Sequence, residues 1–244
     1  MIARQWGRDL ISHLRHRRRV VRSLPHLEFV TDPHERLRSA HLYLVCDDRP
    51  DEFLDAVLGA GVDIIQLRMK DASDDAEIVA AGRRFANAAT EHGALFVLND
   101  RPDLVAAVGA DGVHVGQDDA AVNEARAIVG PDRVIGLSTH SPEQVDAATR
   151  AGVDYFAVGP VHETPTKPGR PAVGLELVRY AAEHATVPFF AIGGIDMTNA
   201  TAVADVGATR IAVVRALTES AQPVAAARTL RAAITAGVRV GSAQ

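Results

Sequence analysis

The chain has a single cysteine, Cys46, in 244 residues, so no disulfide can form within it. That usage fits a reducing, cytoplasmic setting, and the lone thiol reads as a packed, inert side chain. No apolar run approaches the roughly 18 residues that a membrane-spanning helix requires, so no membrane partner is expected. Cysteine and histidine do not cluster at metal-ligand spacing, which argues against zinc. The first strand-like run ends in Cys46-Asp47-Asp48, without the Gly-x-Gly-x-x-Gly turn that opens a dinucleotide-binding sheet. The arginine-rich beginning of the chain lacks the interleaved rings on which single-stranded nucleic acid stacks. It also lacks a following apolar segment, so a secretory signal is not expected.

Charge is distributed unevenly. Residues 1–40 carry nine arginines against four acids, a net +5, while the remainder carries −10. Arg15, Arg17, Arg18, Arg19 and Arg22 could touch nucleic acid or an acidic membrane. The simpler reading is a solvated, basic N-terminal extension over residues 1–40, with no nucleic-acid partner expected. Residues 41–240 then form one domain, since nothing in them resembles a linker.

From residue 41 onward, eight short apolar runs alternate with amphipathic segments. The runs are 42–45, 62–67, 95–98, 112–115, 134–137, 155–158, 189–192 and 211–214. Continuous apolar runs, as opposed to strict alternation, suit parallel strands buried on both faces. Between the second and third runs, Ile78, Ala81, Phe85, Ala88 and Ala89 recur at spacings of three and four. Ser141-Pro142 reads as an N-cap followed by proline at the first helical position. Asp196-Met197-Thr198-Asn199 reads as a helix start, and Gly61, Gly93, Gly152 and Gly207 stand where helices should end. Eight such units in about 200 residues predict an α/β fold, a (β/α)8 TIM barrel, over an open doubly wound sheet.

In a parallel barrel the chemistry sits at the C-terminal ends of the strands. Here those ends are polar or glycine-rich while the strand bodies are apolar. Run two leads into Gln66-Leu67-Arg68-Met69-Lys70, run three into Asn99-Asp100, and run four holds His114 and continues to Asp119. Run five leads into Ser138-Thr139-His140, run six into Thr164-Pro165-Thr166-Lys167, run seven into Gly193-Gly194, and run eight into Val214-Arg215. The proline-flanked loop of hydroxyls and one ammonium is suited to gripping phosphate oxygens. Arg68, Lys70 and Lys167 would repel one another in one cavity unless a polyphosphate joined them. Asp100 and Asp119 could hold Mg²⁺ together with substrate phosphate and water. Each residue has a structural alternative. Arg68 or Lys70 could pair with Asp71 or Asp74, Asp100 could be a turn residue, Gly193-Gly194 a tight turn, His114 a core histidine and His140 a helix cap. Their joint placement at one rim favours a site.

These segments, in this order, resemble the thiamine-phosphate synthase family over about residues 40–235. The resemblance implies a transferase of thiamine biosynthesis. It would join 4-amino-2-methyl-5-hydroxymethylpyrimidine diphosphate to 4-methyl-5-(2-phosphoethyl)thiazole, giving thiamine phosphate and pyrophosphate. It implies that Gln66, Leu67, Arg68, Met69, Lys70, Asn99, Ser138 and Lys167 hold the pyrimidine diphosphate, with His114 and Pro165 counted among the substrate-binding residues. Thr164, Thr166, Gly194, Val214 and Arg215 would hold the thiazole phosphate, and Asp100 and Asp119 would hold Mg²⁺. The catalytic residues would be Arg68, Lys70 and Lys167, acting on departing pyrophosphate; no nucleophile or base is assigned. Many family members carry Val-Ser where this chain has Val214-Arg215. Two alternatives remain at this stage: a thiazole tautomerase on the same barrel, with His140 in the relevant neighbourhood, and a non-catalytic sensor of phosphate ligands. The sequence leaves open whether the protein forms a homo-oligomer.

Overall fold

The computed structural model describes residues 32–70, 72, 74–164 and 171–236. The Arg15–Arg22 cluster lies outside the described residues. The fold is a closed barrel of eight parallel strands in sequence order. The strands are β1 (Leu42–Cys46), β2 (Ile64–Leu67), β3 (Leu95–Asn99), β4 (Gly112–Val115), β5 (Val134–Thr139), β6 (Tyr155–Val158), β7 (Phe189–Ile192) and β8 (Ile211–Val213). Every apolar run of the sequence overlaps one of them, and β1, β3 and β5 extend one or two residues past their runs. The helices are α1 (Pro33–Ser39), α2 (Asp51–Leu58), α3 (Asp75–Glu91), α4 (Val105–Val108), α5 (Val122–Val129), α6 (Pro142–Arg150), α7 (Gly174–His184), α8 (Ala200–Asp205), α9 (Arg215–Thr218) and α10 (Pro223–Ala236). Among the described residues no helix is long and apolar enough to cross a membrane.

Local chemistry explains the elements. The Asp74 side chain accepts from Glu77 N at 3.0 Å and starts α3, whose Ile78, Ala81, Phe85, Ala88 and Ala89 are all buried. The Ser141 hydroxyl accepts from Gln144 N at 3.3 Å, with Pro142 at the first position of α6. Gly61, Gly93, Gly152 and Gly207 all take positive φ just beyond their helices. The expected helix start at Asp196–Asn199 is corrected: that stretch is a turn closed by Asp196 N donating to Asn199 Oδ1 at 2.9 Å, and α8 begins at Ala200. Asx side chains that bond to nearby backbone compete with helix in this way.

Two apolar layers hold the barrel. The outer layer lies between strands and helices and includes Leu44, Ile65, Phe96, Val113, Ile135 and Phe156. The inner layer fills the barrel with Tyr43, Ile64, Leu95, Val97, Val134, Tyr155 and Phe190. Alternate residues of each strand therefore face opposite layers. Cys46 belongs to the outer layer, where burial pushes its thiol up to about 12. At neutral pH it carries no thiolate and is inert.

Leu37 and Ala40 belong to the inner cluster, so α1 closes the N-terminal mouth of the barrel. Arg36 donates to Asp111 Oδ1 at 2.5 Å and to the Ala94 carbonyl at 2.6 Å, and Arg210 donates to the Arg38 carbonyl at 2.9 Å. Residues 32–40 are thus part of the barrel unit, although their arginines make them look like the preceding extension.

The same end shows a repeated device. Asp63, Asp111 and Asp154 each stand one residue before an even-numbered strand. Each carboxylate accepts from a backbone N–H at the start of the preceding odd strand: Leu42 N at 3.0 Å, Phe96 N at 2.9 Å and Ile135 N at 2.7 Å. Each also pairs with an arginine, respectively Arg231, Arg36 and Arg126. Before β8 the corresponding residue is Arg210, and the aspartate device is absent there.

Candidate active site

The opposite end of the barrel opens into a cavity of about 450 Å³, within the range of small-molecule sites. Inward-facing strand residues form its floor: Tyr43 and Val45 from β1, Gln66 from β2, Asn99 from β3, His114 from β4 and Ser138 from β5. Arg68, Lys70, Asp100 and Asp119 follow those strands and form one wall. Thr164, Gly193, Gly194, Val214 and Arg215 form the other.

Arg68 is half-buried and Lys70 exposed, and neither makes an ion pair with a described residue. Asp74, one proposed alternative partner, instead caps α3; Asp71 lies outside the described residues. Arg101, the basic residue after β3, is occupied by Asp75 and Asp103 at 2.6 Å each. Two cations thus face the cavity with no ion pair to a described residue, which is an electrostatic setting suited to an anionic ligand.

Asp100 and Asp119 meet beside them. Asp100 has φ +58, a left-handed backbone that few non-glycine residues adopt, and its Oδ2 accepts from Asn99 Nδ2 at 2.5 Å. Asp119 Oδ2 accepts from Gly116 N at 2.7 Å. Burial, with the hydrogen bond and charge of Asp119 added, raises the Asp100 carboxyl to about 6; Asn99 and the positive charge of Lys70 oppose that rise. Two carboxyls that would share a proton in the absence of a cation form a donor set suited to a hard divalent ion. Among the described residues no cluster of three or more His, Cys, Asp or Glu forms a metal cage.

On the far wall the β6 and β7 loops are knitted together. Val161 N donates to the Ile192 carbonyl at 2.9 Å and His162 N to the Gly193 carbonyl at 3.0 Å. A Cβ on Gly194 would lie 2.7 Å from His162 Cβ, and its φ of +64 also disfavours any side chain. Glycine there lets the two loops approach closely. Asn199 Nδ2 donates to the Gly194 carbonyl at 2.8 Å and fixes the peptide. Arg215 is exposed and lies 3.7 Å from Glu219 one turn along α9.

Most of the expected residues therefore converge: Gln66, Arg68, Lys70, Asn99, Asp100, His114, Asp119, Ser138, Thr164, Gly194, Val214 and Arg215 all line the cavity. Two do not. Leu67 is 1% exposed in the outer layer, because alternation along β2 turns it away from Gln66. Met69 lines an adjoining groove with Cys46, Asp47 and Ala72. Pro165, Thr166 and Lys167 lie outside the described residues. His140 lines the cavity with Nδ1 2.5 Å from the Gly159 carbonyl. Sequence reasoning missed Tyr43 and Tyr155, whose hydroxyls lie 3.0 Å apart beneath the cavity. They share the inward parity of Gln66 and Ser138, but in strands apolar on both faces that parity does not single them out.

Comparison with known proteins bears on this geometry. A family model described as thiamine monophosphate synthase matches residues 42–217. Thiamine-phosphate synthase from Acidothermus cellulolyticus is 51% identical, the match covering 82% of this chain and 97% of the relative. The enzyme of that name from Mycobacterium tuberculosis is also 51% identical, with 82% and 97% covered. Among solved structures, a thiamine phosphate pyrophosphorylase from Pyrococcus furiosus superimposes with a TM-score of 0.75 at 32% identity, covering 84% of this chain and 98% of that one.

Proposed function

The chain belongs to the thiamine monophosphate synthase family, and from that premise we propose which of its own residues perform each part of the reaction. The activity is that of a thiamine-phosphate synthase, a transferase. The methylene carbon of the aminopyrimidine diphosphate is transferred to the thiazole nitrogen. The methylene C–O bond breaks with its electron pair on the diphosphate oxygen, the electron-rich ring stabilises the cationic methylene, and the thiazole lone pair forms the new C–N bond. Such a step requires stabilisation of the departing anion more than a general base.

In the proposed arrangement Arg68 and Lys70 grip the diphosphate, with Lys167 from the β6 loop as the third cation. Gln66, Asn99, His114 and Ser138 orient the pyrimidine over the floor. Thr164, Thr166, Gly194, Val214 and Arg215 receive the thiazole phosphate across the cavity. Asp100 and Asp119 would hold Mg²⁺, which when bound neutralises diphosphate charge. The orientation of two substrates in one cavity supplies much of the remaining acceleration.

The observation that carries this reading is a pair of cations that form no ion pair with a described residue, beside a pair of carboxyls leaning on each other. A thiazole tautomerase has no departing diphosphate for such a wall to neutralise. The test is pyrophosphate release by the purified protein, with each substrate and Mg²⁺ omitted in turn. Release is expected only with both organic substrates, and most strongly with the metal. Equal release in chelator would remove Asp100 and Asp119 from the metal role.

A further inference from the structure

Beneath the cavity a chain of hydrogen bonds crosses the barrel. Gln66 Nε2 on β2 donates to Tyr43 Oη on β1. Tyr43 Oη lies 3.0 Å from Tyr155 Oη on β6, which lies 3.1 Å from His114 Nδ1 on β4. His114 Nε2 lies 3.0 Å from Ser138 Oγ on β5. All five residues are buried. The tyrosine rings pack edge-on against Phe190 at 5.3 and 5.6 Å, where phenylalanine would fill the same space without a polar atom to satisfy. Gly136 keeps the line open, since a Cβ there would lie 2.1 Å from Tyr155 Cζ and 2.5 Å from His114 Nδ1.

Proton counting sets the direction. Burial holds both tyrosines in the protonated form, so each has one proton to give. Tyr43 Oη receives an N–H from Gln66, so its proton goes to Tyr155, its other partner among the described residues. The Tyr155 proton then goes to His114 Nδ1, which accepts. A neutral imidazole that accepts at Nδ1 carries its proton at Nε2 and donates to Ser138 Oγ, which leaves the serine proton for the cavity. At the other end Gln66 commits its amide nitrogen to Tyr43 and turns Oε1 to the cavity. The opposite order would require Gln66 to be rotated, with its nitrogen facing the ligand and His114 protonated at Nδ1.

We propose that Tyr155, with Tyr43 and His114, acts as a positioning residue that fixes the polarity of this chain, so that the floor presents an acceptor at Gln66 and a donor at Ser138. The inference rests on the function proposed above. The acceptor suits the exocyclic amino group of the pyrimidine and the donor suits a diphosphate oxygen. A pyrimidine with an oxo group in that position would bring lone pair against lone pair at Gln66 Oε1. Discrimination between the two then depends on Tyr155, which does not itself line the cavity.

Two measurements test this. ¹⁵N NMR of ring-labelled histidines, with His114→Asn to assign the signal, reads the tautomer in the unsubstituted protein. An unprotonated Nδ1 and protonated Nε2 are expected, and a protonated Nδ1 overturns the proposal whatever the protein catalyses. Tyr155→Phe is then compared with the unsubstituted enzyme on 4-amino and 4-oxo pyrimidine diphosphates. The amino-to-oxo ratio of kcat/KM should fall at least tenfold while KM for the thiazole phosphate is unchanged. An unchanged ratio in folded Tyr155→Phe overturns it. Tyr43→Phe breaks the neighbouring link and carries the same expectation should Tyr155→Phe not fold. If the natural substrate pair yields no pyrophosphate at all, the function reading fails, and the histidine tautomer still decides the polarity.

Discussion

The two ends of the barrel use the same kinds of charge in opposite ways. At the N-terminal end Asp63, Asp111 and Asp154 each have an arginine and a strand N–H, so charge is neutralised within the protein. At the C-terminal rim Arg68 and Lys70 face a cavity unpaired by described residues, and Asp100 leans on Asp119. The pairs at the N-terminal end all use arginine, whereas Lys70 stands at the rim beside Arg68. Lys70 and Lys167 are the chain's only lysines; every other Lys/Arg position is arginine. Arginine's planar fork suits permanent bidentate pairing, whereas a compact ammonium suits a ligand that comes and goes. One end stores stability, and the other is left electrostatically incomplete until substrate arrives.

That contrast breaks most sharply at its extremes. Lys70→Ala should lower kcat by roughly 10²–10³, as loss of a preorganised charge-stabilising group does, with a melting temperature close to the unsubstituted value; steady-state pyrophosphate release and calorimetry read both. A large fall in melting temperature would give Lys70 a structural role that the contrast denies it. Asp111→Ala should do the reverse. It removes the carboxylate partner of Arg36 and the acceptor of the Phe96 N–H, destabilising the protein by about 2–3 kcal/mol in denaturant titrations with activity per folded molecule retained. Gly194→Ala should fall between, at about 1–2 kcal/mol from the left-handed backbone, with KM for the thiazole phosphate raised.

The smallest effect concerns pH. In chelator Asp100 keeps its proton to about pH 6, above the value of about 3.9 for an unfolded aspartate. Its contribution to stability is therefore full below about pH 4 and is lost as the pH rises through about 6. Melting temperatures between pH 4 and 7 should decline more steeply in the unsubstituted protein than in Asp100→Asn. Added Mg²⁺ should reverse the decline above pH 6 in the former only. Parallel curves would show that the carboxyl pair carries no stored repulsion.

Much of this was legible beforehand, for identifiable reasons. A parallel strand buried on both faces must be apolar throughout, so every one of the eight runs marked a strand. The same rule hid the interior. When both faces are apolar, parity is silent, and Tyr43 and Tyr155 look like any core aromatic. Leu67 joined the site by adjacency to Gln66, though alternation sends it to the outer layer. Helix α1 was concealed by composition, because Arg36 and Arg38 continue the arginine-rich run while Leu37 between them plugs the barrel. The carboxylate pair was visible only as two aspartates on adjacent strand ends; their mutual effect needed three dimensions.

Strand β8 spans three residues and meets β7 only at Ala191–Ile211 and Ile192–Ala212, and no aspartate staples its start. Val214 and Arg215 follow that strand directly, whereas Gln66, Asn99, His114 and Ser138 sit on β2 to β5, whose starts the aspartates secure. The two walls of the cavity are thus anchored by different means, one on strands secured by aspartate–arginine pairs and the other next to a three-residue strand. In the proposed arrangement the pyrimidine would rest against the more firmly secured wall, and the nucleophilic ring against the wall that ends on the shortest strand.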